Sequence, residues 1–529
     1  MRNWCLRAEI NRAERNPAAE RSVLLCFPNV YSLGIASLGY QMVYEMFNAC
    51  PSTYCDRCFL PDDADEYRRT EKPLLSFETG KTFSSFDAVA FSVSFEPDYP
   101  NILTVLRLGG VPIYRKDRTV EHPIVIIGGI AVTFNPEPLT AFADAFVIGD
   151  GEEVLPKIAE ILRRDISKED KLRALSELEG LYVPEFYEPG KKIKRLVCRN
   201  LDDYPASSCV LTEEGEFGET TLIEVGRGCM RGCRFCVAGY ATRPARFRKV
   251  ETEAQRCGLV SAAVFDHPKA AEICRGITDR GGEFTLSSVR AETVTAEMAA
   301  LMKKAGLRTL TVAPEAGSQR LRNVINKCLT EEDIFAAARN AAEAGLTTVK
   351  LYYMIGLPTE TEEDVAAIAD LTNRIAKEFK SLTIRASVGC FVPKPFTPFQ
   401  RCAMEGEKSL KKKIAYLRKE TAKGGVKFSF ESPKAAHVQA VLARGDGDLA
   451  SFLEEWSETG NGTKALRKID DDKYTRQRDA GEAFPWEKID MLVSRDYLER
   501  EYEKALREET TTPCVFGKCN ACGACGREK

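Results

Sequence analysis

Two groups of cysteines have a spacing that chemistry explains better than chance. Cys229, Cys233 and Cys236 form a C-x3-C-x2-C run. With 19 cysteines in 529 residues, random placement gives about 0.02 such runs in this chain. Three close thiolates on a flexible loop can hold three corners of a cubane iron–sulfur cluster. Structural zinc sites usually take four protein ligands, and no histidine lies nearby. Three ligands leave one iron open, and an open iron can bind a small molecule carrying an amine and a carboxylate. The alternative is a zinc-binding or merely buried loop. The second run is Cys514, Cys519, Cys522 and Cys525, spaced C-x4-C-x2-C-x2-C. Four ligands complete either a tetrahedral zinc site or a closed iron–sulfur cluster, the remaining alternative being free thiols, and the spacing does not choose between them. A second cluster there would relay electrons, bind substrate or contribute sulfur.

The rest of the composition sets the background. There are only three histidines, which leaves little room for mixed histidine metal sites. Net charge is -3, so the chain has no strongly basic coat for nucleic acid. The N-terminus has no apolar core of a secretory signal, and no apolar run approaches the ~20 residues that span a bilayer. The expected location is cytoplasmic, with no membrane partner. Thiols in that reducing compartment serve metals or catalysis rather than disulfides.

Elements that could position the cysteines follow from the apolar pattern. In residues 1–164, short apolar runs at 22–27, 53–59, 88–95, 124–127 and 145–148 alternate with helical patterns. This predicts a doubly wound parallel α/β sheet with ligand contacts beyond its strand ends. Gly128, Gly129, Gly149 and Gly151 fall at those ends, either as ligand contacts or as tight turns. Residues 165–218 read as a connecting segment. Between 219 and 404, strands at 221–225, 258–264, 284–288, 309–313, 348–354 and 383–390 alternate with helices, which predicts a partial or full β/α barrel. Residues 405–529 read as a mostly helical extension ending in the second cysteine run. Only nine residues separate Arg248 from the 258–264 strand, so the first crossover helix should be short or missing a turn.

On Cys229, Cys233 and Cys236, with the aromatic Phe235 before the last cysteine, the chain resembles the radical S-adenosylmethionine (radical SAM) superfamily. The resemblance extends to Pro28–Gly34, Gly149–Glu153, Ser261–Pro268, Ala313–Ser318, Phe391–Phe399, Ala443–Asp446 and Phe516–Cys525, in that order along the chain. It implies a [4Fe-4S] cluster on the three cysteines, with SAM on the open iron. It also implies reductive cleavage of SAM to a 5′-deoxyadenosyl radical, using a reductant such as flavodoxin or ferredoxin. By the same resemblance Glu315 would hydrogen-bond the SAM ribose, its alternative role being a helix N-terminal carboxylate. Gly356 would let backbone approach the adenine. Ser288 and Arg290 end the preceding strand, where Arg290 would pair with the SAM carboxylate or form a surface salt bridge. Arg243, Arg246 and Arg248 would bind an acidic substrate or form a solvated face. Some relatives of this kind carry a further C-terminal domain, so a separate partner protein is expected to supply it.

The N-terminal sheet resembles the cobalamin-binding domain fused to many radical SAM enzymes. Where such domains carry Asp-x-His-x-x-Gly, this chain has Asn29-Val30-Tyr31-Ser32-Leu33-Gly34. Tyr31 stands at the histidine position, so cobalamin either binds without a protein lower ligand or is lost. Cys50, Cys55 and Cys58 are read as packed thiols, because residues three apart on a strand face opposite ways.

The leading expectation is therefore a radical SAM enzyme acting on an unknown substrate, with cobalamin-dependent methyl transfer as one form. The alternatives are a sulfur-inserting enzyme similar to the tRNA methylthiotransferases, or a non-catalytic iron–sulfur scaffold or redox sensor. No small β-barrel RNA-binding domain is read at the C-terminus.

Overall fold

The computed structural model describes residues 2–422, 426–514 and 519–526. These divide into two compact units. One runs to Thr221 and takes in Val441–Tyr474 and Ala483–Met491. The other holds Leu222–Ala440, Thr475–Glu482 and the described residues from Leu492 on. The C-terminal region is thus shared between both units. No helix among the described residues is long and apolar enough to cross a membrane.

The first unit is built on six strands: β1 (Arg21–Phe27), β2 (Thr53–Phe59), β3 (Ala88–Ser92), β4 (Ile124–Gly128), β5 (Ala145–Val147) and β6 (Leu181–Tyr182). Their order is β2-β1-β3-β4-β5-β6, parallel except for the antiparallel β5–β6 pair. The apolar runs of β1 to β5 are buried because helices cover a parallel sheet on both faces. One of these helices is α1 (Leu38–Ala49), capped by Ser37, whose hydroxyl accepts from the Tyr40 amide. Strand β6 comes from the segment read as a connection, so the sheet continues beyond residue 164. An order of 2-1-3-4-5 puts the topological switch between β1 and β3, where doubly wound sheets bind ligands.

The strand-end glycines have a structural role. Gly129 and Gly149 both adopt φ +109°. A Cβ on Gly129 would lie 2.3 Å from the Val93 carbonyl oxygen, and one on Gly149 would lie 2.4 Å from that of Leu196. Backbone packing fills the space that a ligand contact would need at these two positions.

The second unit is a partial β/α barrel. Its first sheet is β7 (Thr221–Glu224), β10 (Arg256–Val260) and β11 (Glu283–Leu286), with a separate antiparallel hairpin of β8 (Gly226–Arg227) and β9 (Arg246–Phe247). Its second sheet is β12 (Thr309–Glu315), β13 (Thr348–Ile355), β14 (Thr383–Cys390) and β15 (Lys427–Phe430). A parallel bridge between Val289 and Val312 joins the two sheets. The last strand, β15, lies past residue 404, so the barrel takes its final strand from the region read as a helical extension. Among the described residues no ladder links β7 to β15, and the barrel stays partial. Its core runs from Ile223 and Val225 through Leu310, Leu351 and Ile384, against helices such as Glu331–Glu343 and Glu362–Glu378. Both of these helices begin with capping boxes, Thr330 with Asp333 and Thr361 with Asp364.

Candidate functional site

The three-cysteine loop leaves the barrel directly after β7 and is closed at its base by the β8–β9 hairpin. Gly226 pairs with Phe247 and Arg227 with Arg246. The only helix in the excursion is Ala238–Ala241, and none forms between Arg248 and β10. The crossover is short because the loop itself carries the chain back to the sheet.

Hydrogen bonds hold the residues between Cys229 and Cys233 carbonyl by carbonyl. The Cys514 amide donates to the Met230 oxygen at 2.8 Å. Arg243 Nη2 donates to the Arg231 oxygen at 3.0 Å. The Gly232 oxygen accepts from the Tyr240 hydroxyl at 3.2 Å and from Asn326 Nδ2 at 3.0 Å. Arg234 is fully buried and donates to Glu501 at 3.0 Å and to the Asn323, Val324 and Glu509 carbonyls. The loop is therefore anchored on several sides, and its thiols are directed by fixed backbone.

Those thiols are close enough to affect one another. Burial, then Cys233 and Cys229, push the Cys236 thiol up to about 12. Burial and Cys233 likewise raise Cys229. Thiols that raise each other need cations or a metal to exist together as thiolates. The surroundings supply cations: Arg290 and Lys327 both interact with Cys233. The Arg231 amide donates to Cys229 Sγ at 3.4 Å, and the Ala238 and Gly239 amides favour the Cys236 thiolate. Among the described residues no three His, Cys, Asp or Glu side chains are gathered tightly enough for a metal ion. A cubane puts its ligands on separate irons at separate corners, so three neighbouring thiols on a cationic loop suit a cluster better than one ion.

The other candidate residues surround this loop. Glu315 ends β12 with φ +67°, and its Oε1 pairs with Lys327 Nζ at 3.2 Å. Burial lowers the Lys327 ammonium, but Glu315 and the Cys233 sulfur outweigh it and hold the lysine above its ordinary value. Arg290 is held by Glu292 and by the Lys327 carbonyl, so it sits neither on the surface nor free to meet a carboxylate unaided. Glu292 also receives Arg231, which pairs with Asp266 at 2.6 Å. Ser288 lies beyond the end of β11 and is half-exposed. Phe235 packs on a cluster containing Ala316, Leu357, Phe391 and Phe399, bringing the cysteine loop against the segment after β12. Gly356 takes φ +81°, and its amide donates to Glu360 at 3.0 Å. A Cβ there would meet Leu410 at 3.0 Å, so this side of the turn faces the helix Glu407–Ala422.

Asp266 lay within the segment Ser261–Pro268 of the resemblance but was given no role of its own, and Lys327 and Asn326 were not singled out from the sequence. The one available signal was the Thr330–Asp333 capping box, which marks residues 326–329 as a turn before a helix.

The three arginines after the loop form neither a substrate-binding patch nor a solvated face. Arg243 is buried between the Tyr240 and Tyr497 rings, 5.0 and 5.6 Å from their centroids. Arg248 is buried on Glu224 at 2.7 Å. Arg246 is half-buried and donates to the Pro244 carbonyl. Of the tail cysteines, Cys522 is buried with Tyr240, Val493, Tyr497, Leu498 and Ala524. Cys514 and Cys525 are half-buried and Cys519 is exposed.

In the first unit, the position expected to bear a cobalamin ligand is closed. Tyr31 is buried and its hydroxyl donates to Glu9 at 2.6 Å. Its ring stacks on Phe77 and meets Phe59 edge-on. Glu9 in turn takes two bonds from the buried Arg57, which also pairs with Glu78 at 2.8 Å. The Phe59 ring lies 2.6 Å from where a Cβ on Gly34 would sit. These residues do not fit a corrin held at this turn: the ligand position serves a buried ion network, and the glycine is packed on an aromatic ring. Cys55 and Cys58 are buried on β2, with Cys58 opposite Cys26, and Cys50 donates to the Met46 carbonyl. They are packed thiols.

Comparison with known proteins gives the family of the chain. A family model described as "Radical SAM superfamily" matches residues 223–372. One described as "Radical SAM proteins, N-terminal" matches residues 39–184. An uncharacterized protein of Methanocaldococcus jannaschii is 32% identical over 466 residues, covering 85% of this chain and 94% of that one. An uncharacterized methyltransferase of Pyrococcus horikoshii is 24% identical over 290 residues, covering 50% of this chain and 61% of its own length. Among solved structures, the cobalamin-dependent S-adenosylmethionine radical enzyme OxsB is 16% identical with a TM-score of 0.49, covering 67% of this chain and 52% of that chain. With both models matched in order, and a relative similar over nearly its whole length, the chain belongs to the radical SAM superfamily.

Proposed function

We propose that this chain is a radical SAM transferase that holds a [4Fe-4S] cluster on Cys229, Cys233 and Cys236 and cleaves SAM there. The observation that carries this reading is the set of three mutually interacting thiols on a loop fixed by carbonyl hydrogen bonds, with Lys327 and Arg290 beside Cys233. A cluster at that position, once reduced by one electron, supplies cleavage of the SAM sulfonium to methionine and a 5′-deoxyadenosyl radical.

The chain's own residues then bind and orient. Lys327 and Arg290 favour thiolates at the loop, and we assign the methionyl carboxylate to Arg290 in exchange for Glu292, its present partner. Glu315 is the acceptor we assign to the ribose hydroxyls, and Lys327 fixes its side chain. Phe235 excludes water between the loop and the segment after β12. The reductant we assign as partner is a one-electron donor of the flavodoxin or ferredoxin class. Methyl transfer is the form supported by the name of the Pyrococcus horikoshii relative. The residues around Tyr31 give a corrin no seat at that turn, so we assign the methyl group to a second SAM molecule, whose methyl–sulfur bond breaks as the methyl group is transferred and which leaves as S-adenosylhomocysteine.

The test is spectroscopic. Adding SAM to the anaerobically reconstituted, reduced chain should change the electron paramagnetic resonance (EPR) spectrum, because SAM would bind at the cluster those cysteines hold. A spectrum insensitive to SAM contradicts the reading.

A further inference from the structure

The tail cysteines pack against the same loop that carries the first cysteine run. The Cys514 amide donates to the Met230 carbonyl at 2.8 Å. Three residues earlier, the Thr511 amide donates to Asn326 Oδ1 at 2.8 Å, and Asn326 Nδ2 donates to the Gly232 carbonyl. Thr511 Oγ1 also donates to Glu501, the partner of Arg234. Cys522 acts on Arg243, whose guanidinium holds the Arg231 carbonyl and stacks on Tyr240 and Tyr497. The Met230 carbonyl is thus held by the tail itself, the Gly232 carbonyl by Tyr240 and Asn326, which touch the tail, and the Arg231 carbonyl by Arg243, on which Cys522 acts electrostatically.

The four tail sulfurs are not gathered around one point among the described residues, but one of them has the backbone contact of a thiolate. The Ala521 amide donates to Cys519 Sγ at 3.3 Å. The Arg231 amide makes the matching bond to Cys229 Sγ, two residues on in each case. Backbone N–H groups aimed at sulfur stabilise thiolates and tune the metal they bind. The run Cys519-x2-Cys522-x2-Cys525 has the spacing that bacterial ferredoxins use for cluster ligands, and Cys514 adds a fourth. Structural zinc sites more often pair two such cysteines with two distant ligands.

We propose that Cys514, Cys519, Cys522 and Cys525 hold a second iron–sulfur cluster, and that its assembly braces the loop of Cys229, Cys233 and Cys236 from behind. This rests on the reading of the first run as a cluster site. In this arrangement the tail cluster positions the loop, through the Cys514–Met230 bond and through Arg243. Its loss should loosen the other cluster as outer-shell changes loosen a metal site.

The experiment uses the full chain, reconstituted anaerobically, beside Cys519→Ser and Cys525→Ser. Cys519 is exposed, so its replacement leaves the buried packing of Cys522 intact, and circular dichroism checks the fold of both variants. Iron should fall from about eight to about four atoms per chain, as expected for loss of one of two four-iron clusters. The cluster that remains should be lost to an iron chelator on the order of 10-fold faster than in the parent chain. Reduced parent chain should show broadening of its EPR signal by a second spin, and the variants should not. Equal iron in parent and variants, or zinc in place of iron, overturns the second cluster. Half the iron with unchanged chelator resistance overturns the bracing role. Neither result touches the first site, whose failure would show instead as a parent spectrum insensitive to SAM.

Discussion

Lys327 Nζ lies 3.2 Å from Glu315 Oε1, and both side chains are largely removed from solvent. The pair joins the end of β12 to the turn before the helix Glu331–Glu343, beside Cys233. It presents a carboxylate in a fixed place and balances the buried lysine charge. Replacing Glu315 by Gln keeps the shape and removes the charge. It should weaken SAM binding by about 10- to 100-fold, the worth of one charge-assisted hydrogen bond. Iron content should be unchanged. Equilibrium binding of SAM to the cluster-loaded variant measures this, and an unaltered affinity removes Glu315 from the SAM site.

Arg234, between Cys233 and Phe235, is completely buried and shares its charge with Glu501. Glu501→Gln leaves a buried guanidinium with no anionic partner. Breaking such a pair costs about 3–5 kcal/mol, whatever the intact pair contributes. Thermal unfolding should begin several degrees lower, and cluster yield after reconstitution should fall with it. A melting curve superimposable on the parent's would show that the surrounding carbonyls suffice to hold Arg234.

In the first unit, Asp98 accepts from Asn29 Nδ2 at 2.8 Å, close to the switch between β1 and β3. Burial raises its carboxyl from 3.8 to about 6, against the smaller opposing effect of Asn29. A raised acid favours the protonated folded state. Its stabilising effect is therefore complete below about pH 4 and is lost as pH rises through about 6. Asp98→Asn mimics the protonated form. It should raise the melting temperature at pH 8, leave it nearly unchanged at pH 4, and flatten the slope between. The opposite sign at pH 8 would mean that Asp98 is held as a carboxylate.

The Tyr31 network bears on cobalamin. Gel filtration after incubation with hydroxocobalamin should yield protein free of corrin absorbance. Tyr31→His should do no better, because Phe59 still packs on Gly34. Retention of corrin by the parent chain would overturn this part of the account.

Much of this fold was legible in the sequence where a strand has a pattern and turns bound it. Strands β2 and β14 were read residue for residue: β2 is buried throughout, whereas β14 alternates between exposed or half-buried and buried residues. The three-cysteine loop was legible because chance rarely places thiols at that spacing. Strand β15 was missed: its four residues alternate between exposed and half-buried, which resembles an irregular link between helices. Strand β6 was missed because a two-residue edge strand has no period to read. The arginines at 243 and 248 misled for a different reason. Their spacing suggests a basic patch, but their partners are Tyr497, far along the chain, and Glu224 on β7. Partner identity is a property of the fold, and nothing local in the sequence encodes it. The same holds for Lys327, whose role depends on Glu315 and Cys233 meeting at the mouth of the barrel.

The central claim is that SAM is cleaved at the cluster of Cys229, Cys233 and Cys236. The most direct measurement is 5′-deoxyadenosine released when the cluster-loaded chain is given SAM and a one-electron reductant under anaerobic conditions. The account predicts release from the parent chain, and none above background from Cys229→Ala. A cluster-loaded parent chain that forms no 5′-deoxyadenosine, or a Cys229→Ala variant that forms as much as the parent, would contradict it.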